Sequence, residues 1–151
     1  GDLHQPIHLA SLYLDANGRR IDPDRRATGP RNHTRGSNRM KAGERNLHSI
    51  WDGVPDALRR ARFLDIAVAA AKALPPTNGP MDRWAAGWAT ESLRQGRRGF
   101  EGVVVGPQDR DGEWAVTLPD GYAERRAEIQ REQLVRAGAR LAQVLEAIFP
   151  R

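Results

Sequence analysis

The residues best equipped for chemistry are few. The chain has four histidines, His4, His8, His33 and His48, and no cysteine. Thiolate metal ligands and disulfides are therefore excluded, and any transition metal must be held by imidazole and carboxylate. His48 and Asp52 lie four residues apart. On a helix that spacing puts both side chains on one face, a turn apart. An imidazole nitrogen and a carboxylate oxygen so placed can close on one zinc ion at about 2.0–2.2 Å, with a third ligand from elsewhere in the chain. Three protein ligands and one open position describe a catalytic zinc, at which bound water is acidified toward a pKa of about 7. The same spacing also makes an ordinary helix hydrogen bond, and spacing alone does not choose between the two. His4 and His33, taken singly, read as surface histidines or as supports beside a site.

The surrounding sequence must position these groups. Asn46 is suited to cap a helix that begins near Leu47 and carries His48 and Asp52. Pro55 breaks that helix or starts the next. Apolar residues at three- and four-residue spacing (Ala57, Leu58, Ala61, Leu64, Val68, Ala71) predict a helix over 57–74. Pro75 and Pro76 end it. A helix over 81–95 is expected to turn Trp84, Trp88 and Leu93 inward. Residues 99–118 have strand character, with a short hairpin expected near 102–117. A long final helix follows Pro119, with an apolar stripe of Tyr122, Ile129, Leu134, Ala137, Leu141, Val144, Leu145 and Ile148. Residues 15–45, rich in Arg, Gly, Pro, Asn and Asp, lack apolar periodicity and read as a long loop. The expected class is all-α.

The 151 residues suffice for one domain, and 39% hydrophobic with 28% charged residues is a globular balance. No apolar run approaches the roughly 20 residues that span a bilayer. The net charge is +5, and Lys41 and Lys72 are the only lysines. A basic arginine surface suits a polyanionic partner, although arginine richness with abundant Ala and Gly also follows from a GC-rich genome. The chain starts at Gly1 rather than Met, which together with its motifs leads us to expect a fragment.

Several motifs carry a family resemblance. Gly1-Asp-Leu-His-Gln-Pro-Ile-His8 resembles the Gly-Asp-x-x-Gln-Pro-Leu-His segment of the S-one/P-one zinc-dependent nucleases. Asn46-Leu-His-Ser-Ile-Trp-Asp52 resembles that family's Asn-Leu-His-x-x-Trp-Asp. Arg35-Gly-Ser-Asn38 is similar to its Gly-Gly-Asn loop, and Trp88-Ala-Thr-Glu-Ser92 to its Trp-Ala-x-Glu-Ser. Tyr122 and the segment 133–142 resemble its final helix. These marks stand in the family's order along nearly the whole chain.

The resemblance implies a multi-helix fold shared with zinc-dependent phospholipase C, of which residues 1–151 would be the C-terminal half. It implies that His8, His48 and Asp52 bind one zinc, and that Asp2 bridges the two other zincs of a three-zinc cluster. His4 inherits no ligand role, and Gln5 and Pro6 would shape the turn that aims Asp2 and His8. The remaining cluster ligands, an N-terminal Trp among them, would precede Gly1. So would the family's transition-state arginine and base-stacking aromatic, which leaves at most one complete zinc site here. Ser37 stands where the family has a glycine, and the loop between His8 and His48 is longer than usual. The implied activity is hydrolysis of single-stranded DNA and RNA, with 3′-nucleotidase activity, in a secreted or periplasmic protein. The isolated chain is expected to be inactive and of marginal stability. The alternatives are a zinc-dependent phospholipase C and a non-catalytic remnant that binds nucleic acid through arginines of the 19–39 loop.

Overall fold

The computed structural model describes residues 1–150. Its five helices are α1 (Pro6–Leu9), α2 (Leu47–Asp52), α3 (Ala61–Ala73), α4 (Trp84–Gly99) and α5 (Tyr122–Ile148). Short 3-10 turns precede α1, α3 and α4. The helical expectation holds for these elements, but the all-α class is corrected by a small four-stranded sheet. Its strands are β1 (Met40–Ala42), β2 (Arg45–Asn46), β3 (Val104–Gln108) and β4 (Trp114–Thr117), in the order β2-β1-β4-β3. β3 and β4 are the expected hairpin. β1 and β2 were hidden in the long loop, because strands of three and two residues are too short to show a period. Long-range pairing makes them: β1 runs parallel to β4, and the Trp114 amide donates to the Arg39 carbonyl at 2.7 Å.

The same long-range bonding organises the rest of the loop. The Leu14 amide donates to the Asn32 carbonyl and the Ile21 amide to the Tyr13 carbonyl, both at 2.8 Å. Gln108 Nε2 donates to the Arg31 carbonyl at 3.0 Å, tying the loop to the hairpin. Residues 15–39 thus lack helix and extended strand, yet the backbone is pinned.

The core gathers Ile7, Met40, Leu47, Trp51, Phe100, Val116, Tyr122 and Ile129 between the sheet, α1, α2 and the first half of α5. Trp51 is its centre. Its indole Nε1 donates to Tyr122 Oη at 2.8 Å, and that hydroxyl donates to the Gly99 carbonyl at 3.0 Å. Gly99 must be glycine, since a Cβ there would sit 2.7 Å from Trp51 Cζ2. Trp84 and Trp88 are inward as expected, but Leu93 is exposed.

The stripe on α5 is corrected in part. Tyr122 and Ile129 are buried, whereas Leu134, Leu141, Leu145 and Ile148 are exposed. The polar Gln130 and Gln133 are buried in their place. α3 likewise has its period but no buried residue. Beyond Gln133 the apolar faces of α3 and α5 line an open groove with Trp88 at its end. No helix among the described residues is long and apolar enough to cross a membrane.

Candidate metal centre

Two capped, short helices bring the site together. Gln5 caps α1: its Oε1 accepts from the Ile7 amide at 2.7 Å, with Pro6 in the first helical position. Asn46 caps α2 as the sequence predicts, its Oδ1 accepting from the Ser49 amide at 2.7 Å. His8 comes from α1; His48 and Asp52 come from adjacent turns of α2. The two imidazoles stack at 4.9 Å between centroids and 15° between planes. Asp52 Oδ1 lies 3.5 Å from His8 Nε2, and Oδ2 lies 3.4 Å from His48 Nε2. The three residues form one set whose ligand atoms all fall within 4.8 Å of one another.

Those separations suit a metal better than direct bonds. A nitrogen and an oxygen at 3.4–3.5 Å are beyond the usual 2.7–3.2 Å hydrogen-bond range. Two ligands each about 2.1 Å from a tetrahedral ion stand about 3.4 Å apart. The far sides of the ligands are also fixed. His48 Nδ1 donates to the Gly36 carbonyl at 2.7 Å, which leaves Nε2 free to ligate. His8 Nδ1 donates to Asp2 Oδ1 at 2.7 Å, with the same consequence for its Nε2. Gln5 Nε2 donates to Asp52 Oδ1 at 3.0 Å, which restrains the carboxylate. Asp2, expected as a bridge between other metals, therefore stands behind His8 and not among the three converging ligands. Its side chain is 89% exposed.

His4 and His33 stand apart from the set. The His4 ring accepts at Nε2 from Arg140 Nη1 at 3.0 Å. Burial, reinforced by Arg140, pushes it down to about 4, so it is neutral at physiological pH. Arg140 is held in turn by Glu91 and lies over the Trp88 ring. His33 meets Ser11 Oγ at 3.1 Å and packs on Tyr13.

Sequence reasoning missed the frame that holds α2. A helix of six residues cannot satisfy its own last carbonyls, and side chains from elsewhere do so. Arg45 donates to the Ser49 carbonyl and Arg126 to that of Ile50. Gln130 Nε2 donates to Trp51 O at 2.7 Å and to Gly53 O at 3.1 Å. Three residues on, Gln133 Nε2 donates to the His4 carbonyl at 3.1 Å. Two glutamines on one face of α5 thus set the spacing between the segment bearing His8 and the helix bearing His48 and Asp52. In the sequence they are only two glutamines three residues apart beside an apolar stripe. Gln130→Leu is expected to weaken zinc binding about 10- to 100-fold, the usual range for a lost supporting contact. Competition with a chromophoric chelator measures it, and unchanged affinity would remove Gln130 from this role.

Strain collects where His48 is anchored. Arg35, Gly36 and Ser37 have φ of 55°, 59° and 69°, three consecutive left-handed residues. Only Gly36 adopts this freely. Ser37 is fully buried, and its hydroxyl has no partner. Ser37→Gly is expected to raise the unfolding free energy by about 1–2 kcal/mol by relieving the left-handed penalty. Urea denaturation tests this, and a lower stability would show that the Ser37 side chain contributes packing that outweighs the strain.

Two imidazoles and a carboxylate converging on an open face, with their outer atoms tied down, define a candidate mononuclear metal centre on a mainly helical scaffold. A family model described as S1/P1 Nuclease matches residues 1–150, and the chain belongs to that family. Membership makes the protein a hydrolase of the nuclease class, with nucleic acid as its substrate class. No curated protein and no solved structure matches the chain.

Proposed function

We propose that the protein hydrolyses phosphodiester bonds of single-stranded DNA and RNA with zinc as its cofactor. The convergence of His8, His48 and Asp52 supports this reading most directly. Bound there, zinc would supply Lewis acidity, acidifying water and offsetting charge on phosphate oxygens. The chain's own residues do the rest. Asp2 and the Gly36 carbonyl hold the imidazole tautomers, and Gln5 orients the Asp52 carboxylate. Pro6, Val54 and Leu134 help line a cavity of about 280 Å³ that reaches Asp2, His8 and Asp52. A 3′-nucleotidase activity at the same centre belongs to this reading. Among the described residues one such ligand set assembles, and the reading is of one zinc held there.

The test is cleavage of a labelled single-stranded oligonucleotide by the zinc-loaded full-length protein. Cleavage lost on chelation and restored by zinc is expected. Failure to cleave single-stranded DNA or RNA with zinc bound contradicts the reading. Release of phosphocholine from lecithin vesicles without nucleotide release would assign the centre to phospholipid instead.

A further inference from the structure

We propose that the loop 15–39 is a strand-binding surface that tracks the phosphate backbone of single-stranded nucleic acid beside the metal centre. The inference rests on the nuclease reading for the identity of the polyanion; its other supports are independent.

Charge is the first support. The loop has seven arginines against three aspartates, a net +4 out of the chain's +5. The basic balance of the protein is therefore local and not a uniform coat. The second support is which groups are already engaged. The Asp15 carboxylate accepts from the amides of Asn17 and Arg19, and the Asp22 carboxylate accepts from the Asp24 amide and pairs with Arg25. Two of the loop's three acids thus shape its backbone. Arg39 donates to the Pro30 carbonyl. Arg19, Arg20, Arg26, Arg31 and Arg35 are exposed and have no side-chain partner among the described residues. The adjoining hairpin carries Asp109, Asp111 and Glu113, but Asp109 accepts from backbone amides and Glu113 pairs with Lys41.

Position is the third support. Arg35 precedes Gly36, whose carbonyl holds His48, so the basic loop runs directly into the frame of the metal centre. The left-handed backbone at Arg35 is a cost of about 1–2 kcal/mol kept at that junction. Finally, the loop is pinned to Leu12, Leu14, Tyr13 and the hairpin by backbone bonds. A pinned loop presents its guanidinium groups without first losing backbone entropy, and guanidinium suits bidentate contact with phosphate.

The experiment is fluorescence anisotropy of a labelled oligothymidylate of about 16 nucleotides with the full chain. EDTA is included so that the strand stays intact. Five single-strand phosphate contacts predict a log–log salt slope of about −3.5, or about a 100-fold loss of affinity between 0.05 and 0.2 M salt. Changing Arg19, Arg20, Arg26, Arg31 and Arg35 together to Gln should bring the slope close to zero. A second variant with Arg59, Arg60, Arg62, Arg83 and Arg131 changed to Gln removes the same charge outside the loop and should keep a slope near that of the native chain. Absent or salt-independent binding by the native chain, or equal loss in both variants, overturns the proposal. Photocrosslinking the same oligomer to the native chain needs no substitution. Adducts within 15–39 support the surface, and adducts confined elsewhere overturn it. Zinc uptake by the native chain is measured in parallel without EDTA. Salt-dependent loop binding in a chain that takes up no zinc would support the surface while removing the metal reading.

Discussion

Replacing His48 with alanine is expected to raise the zinc dissociation constant by more than the roughly 100-fold that a lost supporting contact costs. The change removes one of three converging ligands and leaves His8 and Asp52 as a pair, which is too few for a stable tetrahedral site. The fold should survive it. The His48 side chain is 23% exposed, and the core residues of α2 are its neighbours Leu47 and Trp51. Chelator competition gives the affinity, and circular dichroism of the apo chain confirms the fold. A variant that folds and binds zinc as tightly as the native chain would show that His48 is not a ligand. A variant that unfolds would show that the imidazole and its bond to Gly36 are structural first.

Trp51→Ala is expected to cost about 3–5 kcal/mol, the range for emptying the space of a large buried aromatic side chain. Trp51 is 1% exposed and ends a buried chain of hydrogen bonds through Tyr122 to Gly99. Since a domain's whole stability is about 5–15 kcal/mol, this single change brings the chain close to unfolding. Trp51→Phe retains most of the volume and loses the indole bond, for about 0.5–1.5 kcal/mol. Urea denaturation of the apo forms measures both. A Trp51→Ala cost below about 1 kcal/mol would contradict this account of the core. The effect should reach the metal as well, since Trp51 sits on α2 between the two ligands. Zinc at 100 times its dissociation constant would return about 2.7 kcal/mol.

Much of the site was legible because its determinants are local. The spacing of His48 and Asp52 and the Asn46 cap each work within a few residues, and each stands in the structure as the sequence predicts. The pairing of His8 with α2 was legible only through the family resemblance, because no local rule relates residues forty positions apart. What stayed hidden depends on distant partners. β1 and β2 exist because β4 is there to pair with, and the pinned loop exists because Tyr13, Leu14 and Gln108 come within reach of it. The roles of Gln130 and Gln133 depend on α2 and the His4 carbonyl, which no local pattern relates to them. The apolar periods of α3 and of the second half of α5 were read correctly as helical. Most of their large apolar side chains are nonetheless exposed.

The zinc-to-protein ratio of the native chain after exhaustive dialysis tests the central claim most directly. The account predicts about one zinc per chain, held by His8, His48 and Asp52. A folded chain that retains no zinc would contradict it.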